Sequence, residues 1–307
     1  MKKTIAVIMA LAMGLAFTAC QNEKDTSSDK KESEEISSGE DISASESQKE
    51  TDSDTRILVV SFGTSYNETR KATIGAIEEE IANVRPDCKV HRAFTSQTII
   101  KKLKERDGLV IDNVSEAMDK FVNEGVKNVI VQPTHIMAGK EYDELCEAVK
   151  PYEEKFESFK LGTPLLTEDK DYENAVDAVA EETKEYEGEN TAIVFMGHGT
   201  DHPANSTYTK LQEAFYAKGL NNYIVGTVEA KPDLDDVKAK LKELKAEKVV
   251  LLPFMIVAGD HATNDMAGDE EDSWKTRLKG EGYEVQCVLK GLGEYEGIRN
   301  LIAEKVR

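Results

Sequence analysis

From Arg56 onward the chain alternates short apolar runs with longer stretches in which apolar residues recur every three to four positions. Ile57–Phe62, Lys89–Ala93, Asn128–Gln132, Lys160–Gly162, Ala192–Met196, Tyr223–Val228, Lys248–Leu252 and Glu284–Leu289 read as strands. Helical periodicity runs through Asn67–Asn83, Val114–Asn123, Lys140–Lys150, Asp171–Tyr186, Ser206–Lys218 and Leu234–Leu244. Strands that alternate with amphipathic helices predict βα units and parallel sheets.

The strands fall into two groups that resemble one another. Phe62-Gly63-Thr64 after the first strand parallels His198-Gly199-Thr200 after the fifth. Val129 to Pro133 with Ala138-Gly139 parallels Val249 to Pro253 with Ala258-Gly259 at a constant offset of 120 residues, and a weaker match sets the second strand, ending near Phe94, against the sixth, ending near Glu229. The expected fold class is α/β. Two similar doubly wound halves, residues 56–188 and 189–307, each carry a four-stranded, mainly parallel sheet flanked by helices, with a cleft between them.

The N-terminus follows other rules. Lys2 and Lys3 precede an almost continuous apolar stretch from Thr4 to Ala19, too short to span a bilayer comfortably and of the length of a secretory signal. Small residues ending in Cys20 resemble a lipoprotein lipobox, so residues 1–19 read as a lipoprotein signal peptide, with Cys20 as the lipidated residue. An ordinary signal peptide with an incidental cysteine is the alternative. Residues 21–55 contain 12 acidic, 4 basic and 9 serine side chains and almost no aliphatic ones, so that 20–55 reads as a disordered acidic tether. As a flexible coil it would reach about 30 Å. The expected location is extracytoplasmic, held to a bacterial membrane through the lipid.

Net charge is −20 over 307 residues, and most of that acidity lies in the part that folds. It excludes charge-driven binding to nucleic acid or anionic membrane surfaces. Cys88, Cys146 and Cys287 are odd in number and show no Cys-x-x-Cys spacing, which argues against a disulfide framework and against a structural zinc or thioredoxin-like site. Gly63-Thr64-Ser65 lacks the glycines of a dinucleotide fingerprint and the lysine of a P-loop, so no nucleotide is expected, and there is no Gly-x-Ser-x-Gly elbow.

In open α/β sheets ligands bind at the carboxyl ends of the strands. His198 follows the fifth strand, Glu229 ends the sixth and His261 follows the seventh. Two imidazoles and a carboxylate suit a divalent transition metal (Co, Ni, Fe or Zn) better than Ca or Mg. Their counterparts in the first half, Phe62, Phe94 and Glu141, are mostly apolar, which points to one metal site. Each candidate has an ordinary alternative: a hydrogen-bonded loop histidine for His198, a paired carboxylate for Glu229, a capping residue for His261. Asp260 is a candidate partner for His261. His135 and Glu141, after the third strand, stand between a pocket role and a loop histidine with a first-turn acid. His202 and His91 read as structural.

Ile57 to Tyr66, Arg92 to Ser96, Phe195 to Gly199 and Val257 to Met266, with Asp272-Ser273-Trp274-Lys275 behind, together resemble the anaerobic cobalt chelatases: sirohydrochlorin cobaltochelatases of the class II tetrapyrrole chelatase family. The resemblance spans residues 56–307. It implies a metal chelatase, a lyase, that inserts Co²⁺ into a tetrapyrrole with release of two protons, as in anaerobic cobalamin biosynthesis. Co²⁺ is then a substrate, with Fe²⁺ or Ni²⁺ as alternatives. His198 is implied as metal ligand and proton acceptor, Glu229 and His261 as the other ligands. His135 and Glu141 are implied to face the tetrapyrrole, and Phe62 and Phe94 are candidates for an apolar wall against it. Export sits oddly with a cytoplasmic pathway, so a non-catalytic extracytoplasmic carrier of metal, haem or another tetrapyrrole is the competing expectation. A homo-oligomer is left open.

Overall fold

A computed structural model of the chain describes residues 54–307. The signal stretch, Cys20 and the acidic tether up to Ser53 lie outside the described residues. The expected strands form: β1 Thr55–Ser61, β2 Lys89–Phe94, β3 Asn128–Pro133, β4 Ser158–Leu161, β5 Thr191–Gly197, β6 Tyr223–Thr227, β7 Lys248–Pro253 and β8 Glu284–Cys287. They make two four-stranded sheets, ordered β2-β1-β3-β4 and β6-β5-β7-β8, with every pairing parallel.

Ten α-helices connect them in the described residues: α1 Asn67–Arg70, α2 Ala76–Val84, α3 Gln97–Asp107, α4 Val114–Asn123, α5 Lys140–Val149, α6 Asp169–Thr183, α7 Ser206–Ala217, α8 Leu234–Leu244, α9 Trp274–Gly280 and α10 Glu296–Glu304. A π turn, Lys71–Gly75, joins α1 to α2, so the helix expected over 67–83 is one helical run with a local widening. Helices α3, α9 and α10 are additional to the sequence reading.

Period-2 alternation places the core. Leu58 and Val60 of β1 face α4 and α5, packing with Met118, Phe121 and Leu145. Ile57 and Val59 face the other way, into a cluster that also holds Ile193 and Phe195 of β5 and Val250 and Leu252 of β7. The remaining β5 residues, Ala192, Val194 and Met196, pack against α8 and α9 through Val237, Leu241, Trp274 and Leu278. Each half therefore has a private outer core, and the two inner sheet faces share one. At its centre Phe195 stacks on Phe215 with centroids 5.8 Å apart and meets Phe254 edge-on at 5.7 Å.

A division near residue 188 separates the sheets but not all the helices. α10 packs on α2 of the first half and on α6, and Ile298, Ile302 and Val306 sit in the shared core with Ile77 and Ile81. Arg85 donates to the Val306 carbonyl at 2.7 Å, fastening the chain end to the first half.

The repeat is visible in the ladders. Ser61 pairs with Phe94 in the first sheet and Gly197 with Thr227 in the second. Beyond the strands, Ser96 N donates to the Phe62 carbonyl at 3.2 Å, and Glu229 N donates to the His198 carbonyl at 2.9 Å. Phe62 therefore corresponds to His198, but the position that corresponds to Glu229 is Ser96. The expected equivalence of Phe94 and Glu229 is corrected: Phe94 corresponds to Thr227, and both are buried.

Candidate metal centre

Order reverses between β5 and β7, and ligand sites in such sheets form at the reversal. The chain emerging from β5 there carries His198 between two glycines that each make room. A Cβ on Gly197 would collide with the buried ring of Tyr208, and Gly199 has φ +84°, with Thr227 and the Ala230 backbone where a side chain would go. The Gly199 amide donates to the Tyr208 hydroxyl at 3.3 Å. Burial pushes that hydroxyl's pKa up, so it stays protonated. Thr200 N donates to Asn205 Oδ1 at 3.1 Å, and Asn205 Nδ2 donates to the Lys231 carbonyl at 2.6 Å, tying the loop after β5 to the loop after β6.

His261 is set by a different device. Ala262 and Met266 are buried beside Trp274 in the second half's outer core, anchoring one side of a π turn, Ala262–Met266. The other side presents His261 and Asp265, one turn apart, and His261 Nδ1 lies 2.6 Å from Asp265 Oδ2. Asp265, not the expected Asp260, is thus the carboxylate partner of His261; Asp260 Oδ1 instead accepts from Asn264 Nδ2 at 3.0 Å.

The three candidate ligands converge. One ligand atom each from His198, Glu229 and His261 lies within 4.8 Å of the others. The two imidazole rings meet edge to face at 4.5 Å, and His198 Nδ1 is 3.8 Å from Glu229 Oε2. Bonds of about 2.0–2.2 Å put ligand atoms about 3.5 Å apart around one ion, so small rotations close the set. The side chains are 45% exposed for His198, 53% for Glu229 and 34% for His261, which leaves them free to rotate and leaves one side open. His198 Nδ1 lies 2.8 Å from the Gly199 carbonyl and His261 Nδ1 is engaged by Asp265, so in both rings Nε2 is the nitrogen left to bind metal.

The first half offers no such set. Phe62, in the His198 position, is 52% exposed at the end of β1 and is available as an apolar surface. Phe94 is not: its ring lies in a core cluster with Ile74, Leu103 and Ile111, underneath Gly63, and exposes no surface to a ligand. The expectation that Phe94 forms part of the wall is corrected accordingly, and its role is to support the loop that carries Phe62. Glu141 stands exposed in the first turn of α5. His135 follows β3 with both ring nitrogens shielded and without a hydrogen bond inside the protein. Burial pushes its pKa down to about 4 against the opposing pull of Glu141, so the ring is neutral near pH 7.

His91 packs edge-on against Phe121 and is structural, as expected. His202 makes a contact between the halves that no sequence spacing announces: its Nε2 lies 3.3 Å from Asp143 of α5. Tyr208, also missed, has as its only signal the small residue at Gly197 that its ring requires.

The family described as cobalt chelatase (CbiK) matches residues 55–307. The sirohydrochlorin cobaltochelatase of Salmonella typhimurium is 40% identical over 243 residues, covering 79% of this chain and 91% of that protein. Sirohydrochlorin cobaltochelatase CbiKC of Nitratidesulfovibrio vulgaris is 34% identical over 244 residues, covering 78% and 85%. Among solved structures, the sirohydrochlorin chelatase SirB of Bacillus subtilis subspecies spizizenii in complex with cobalt aligns at TM-score 0.55 and 16% identity over 82% of this chain and 94% of that one, a likeness of fold. Two parallel sheets with matching order, one strand-end set of residues able to hold a metal and two close relatives over nearly the whole folded region lead to one conclusion: the chain belongs to the cobalt chelatase family.

Proposed function

We propose that this protein is a sirohydrochlorin cobaltochelatase: it inserts Co²⁺ into the macrocycle, which loses two pyrrole protons as the metal–nitrogen bonds form. The observation that carries this reading is the convergence of His198, Glu229 and His261 within 4.8 Å, on one half of a cobalt chelatase fold.

Two neutral imidazoles and one carboxylate leave a bound divalent ion with a net positive charge and open positions. Such a site holds the ion loosely enough to release it, unlike a closed four-ligand cage. As Co²⁺ passes to the ring nitrogens, His198 Nε2 loses its metal and gains a free lone pair. Imidazole is a competent base near neutral pH, and His198 is the proposed acceptor for one of the departing protons. Phe62 offers an apolar face to the ring, and Glu141 and His135 face it from the first half. Fe²⁺ and Ni²⁺ suit the same donor set, so metal choice is a matter of degree.

The apolar stretch ending at Cys20 and the acidic segment after it support an exported lipoprotein, tethered by its lipid. Among the described residues no helix is long and apolar enough to cross a membrane, so attachment would rest on that N-terminus. The test mixes purified protein with sirohydrochlorin and excess Co²⁺ and follows the visible spectrum against a protein-free control. Repeated turnover is expected; stoichiometric binding that stops after one equivalent would replace the enzyme with a carrier. Labelling with a radioactive fatty acid, lost in Cys20→Ser, tests the anchor.

A further inference from the structure

We propose that the pair formed by Asp143 and His202 is a positioning bridge, which holds the first turn of α5, and with it Glu141, at a fixed place opposite the metal centre. This rests on the chelatase reading of the site. Asp143 belongs to α5 in the first half; His202 belongs to the loop after β5 in the second, four residues beyond His198. Their separation is 3.3 Å, from Asp143 Oδ2 to His202 Nε2.

Three observations make this more than a surface pair. First, the His202 ring is oriented before it meets Asp143. The Ala204 amide donates to His202 Nδ1 at 3.1 Å, so Nδ1 is an acceptor and Nε2 is the ring nitrogen left for the carboxylate 3.3 Å away. Second, α5 has no side-chain cap: Gly139 precedes it, and the first turn is anchored instead from outside. Tyr142 donates to the Gly162 carbonyl at 3.1 Å within its own half, and Asp143 reaches across to the other. Glu141 is next in sequence to Tyr142 and two residues from Asp143, and its charge acts on both His135 and Tyr208, the tyrosine beneath the His198 loop. Third, the loop holding His202 is tied back through Asn205 to the loop of Glu229, so the bridge reports on the metal centre's own framework.

The bridge joins an exposed carboxylate, 62% for Asp143, to a half-buried imidazole, 29% for His202, so its contribution to global stability is small and variants lacking it are expected to fold. Its effect is geometric. A displacement of about 1 Å at a reacting group is enough to slow a reaction many-fold. Asp143→Ala is expected to lower the rate of metal insertion about fivefold while leaving Co²⁺ affinity at the wild-type value, because all three metal ligands lie on the other half. Asp143→Asn, which keeps the acceptor oxygen, is expected to recover most of the rate. The double variant should be no slower than His202→Ala, which also loses the acceptor of the Ala204 amide, since a bridge is broken only once.

A readout independent of turnover separates this proposal from the chelatase assignment. Hydrogen exchange on the full chain is expected to be faster at the amides of Tyr142 and Asp143 in His202→Ala, an effect that must cross from one half to the other. Unchanged exchange there would overturn the bridge even in an active enzyme, as would wild-type insertion rates in Asp143→Ala or additive losses in the double variant. If wild-type protein shows no turnover at all, the chelatase reading fails, and the exchange result alone decides whether the bridge exists.

Discussion

The two halves are built to one plan and do different work. Strand order, parallel pairing and even the hydrogen bonds past the strand ends repeat: Thr134 N to the Val60 carbonyl matches Phe254 N to the Met196 carbonyl, and Leu165 N to the His135 carbonyl matches Leu292 N to the Met255 carbonyl. At equivalent places the first half presents Phe62, Ser96 and Glu141 and the second His198, Glu229 and His261. A repeated backbone plan thus places a phenyl ring, a hydroxyl and a carboxylate at the strand ends of one half, and two imidazoles with a carboxylate able to hold a metal at those of the other. The lesson is that the fold supplies positions, while one residue at each strand end supplies the chemistry.

The largest effect is expected at the strand end where the two halves differ most, His198. His198→Ala removes a ligand and the proposed base together, and insertion should fall by at least about a hundredfold, measured as initial rate at saturating Co²⁺. Next comes the support behind His261. Asp265→Ala leaves His261 without the carboxylate that fixes its tautomer, and Co²⁺ affinity by calorimetry should weaken about ten- to a hundredfold.

A third test converts one half toward the other. His135 corresponds to Met255, so His135→Met copies the second half into the first. In the folded protein the His135 pKa is depressed from 6.5 to about 4. Below pH 6.5 the unfolded chain takes up a proton that the fold refuses, so stability falls as pH drops from about 6.5 to about 4 and is unaffected above. His135→Met should recover up to about 3 kcal/mol of that loss near pH 4 and little at pH 7, read from thermal midpoints at both. The smallest effect is expected from Phe62→His. One imidazole opposite Ser96 and Glu141 does not make three ligands, and Co²⁺ should still bind at one equivalent. A second equivalent in that variant would show that the asymmetry rests on a single residue.

Much of the fold was legible because β1, β3, β5 and β7 are continuous apolar runs, as buried parallel strands must be. His198, Glu229 and His261 were legible because strand ends are where such sheets bind ligands. Phe94 was misplaced for an equally physical reason. It was matched to Glu229 by pattern alone, across strands that share few residues, and a slip of two positions turns a buried ring into an apparent wall. Helix α3 was hidden by its charge, with Leu103 as its one fully buried side chain, and α9 by its brevity. Asp265 was within reach, being one helical turn from His261, but the loop around Gly259 made the nearer Asp260 look the better partner. His202 and Asp143 meet only because two halves close on one another, and no periodicity within either encodes that.

The placement of α10 makes the two halves dependent on one another. Ile298, Ile302 and Val306 complete the core of a half whose first strand begins at Thr55. The inner face of the first sheet, already lined by Ile77 and Ile81 of α2, therefore shares its apolar cover with a helix that follows the last strand of the second sheet. Removing α10 and the residues after it is expected to strip Ile77 and Ile81 of three apolar neighbours, so damage to the second half would be felt in the first.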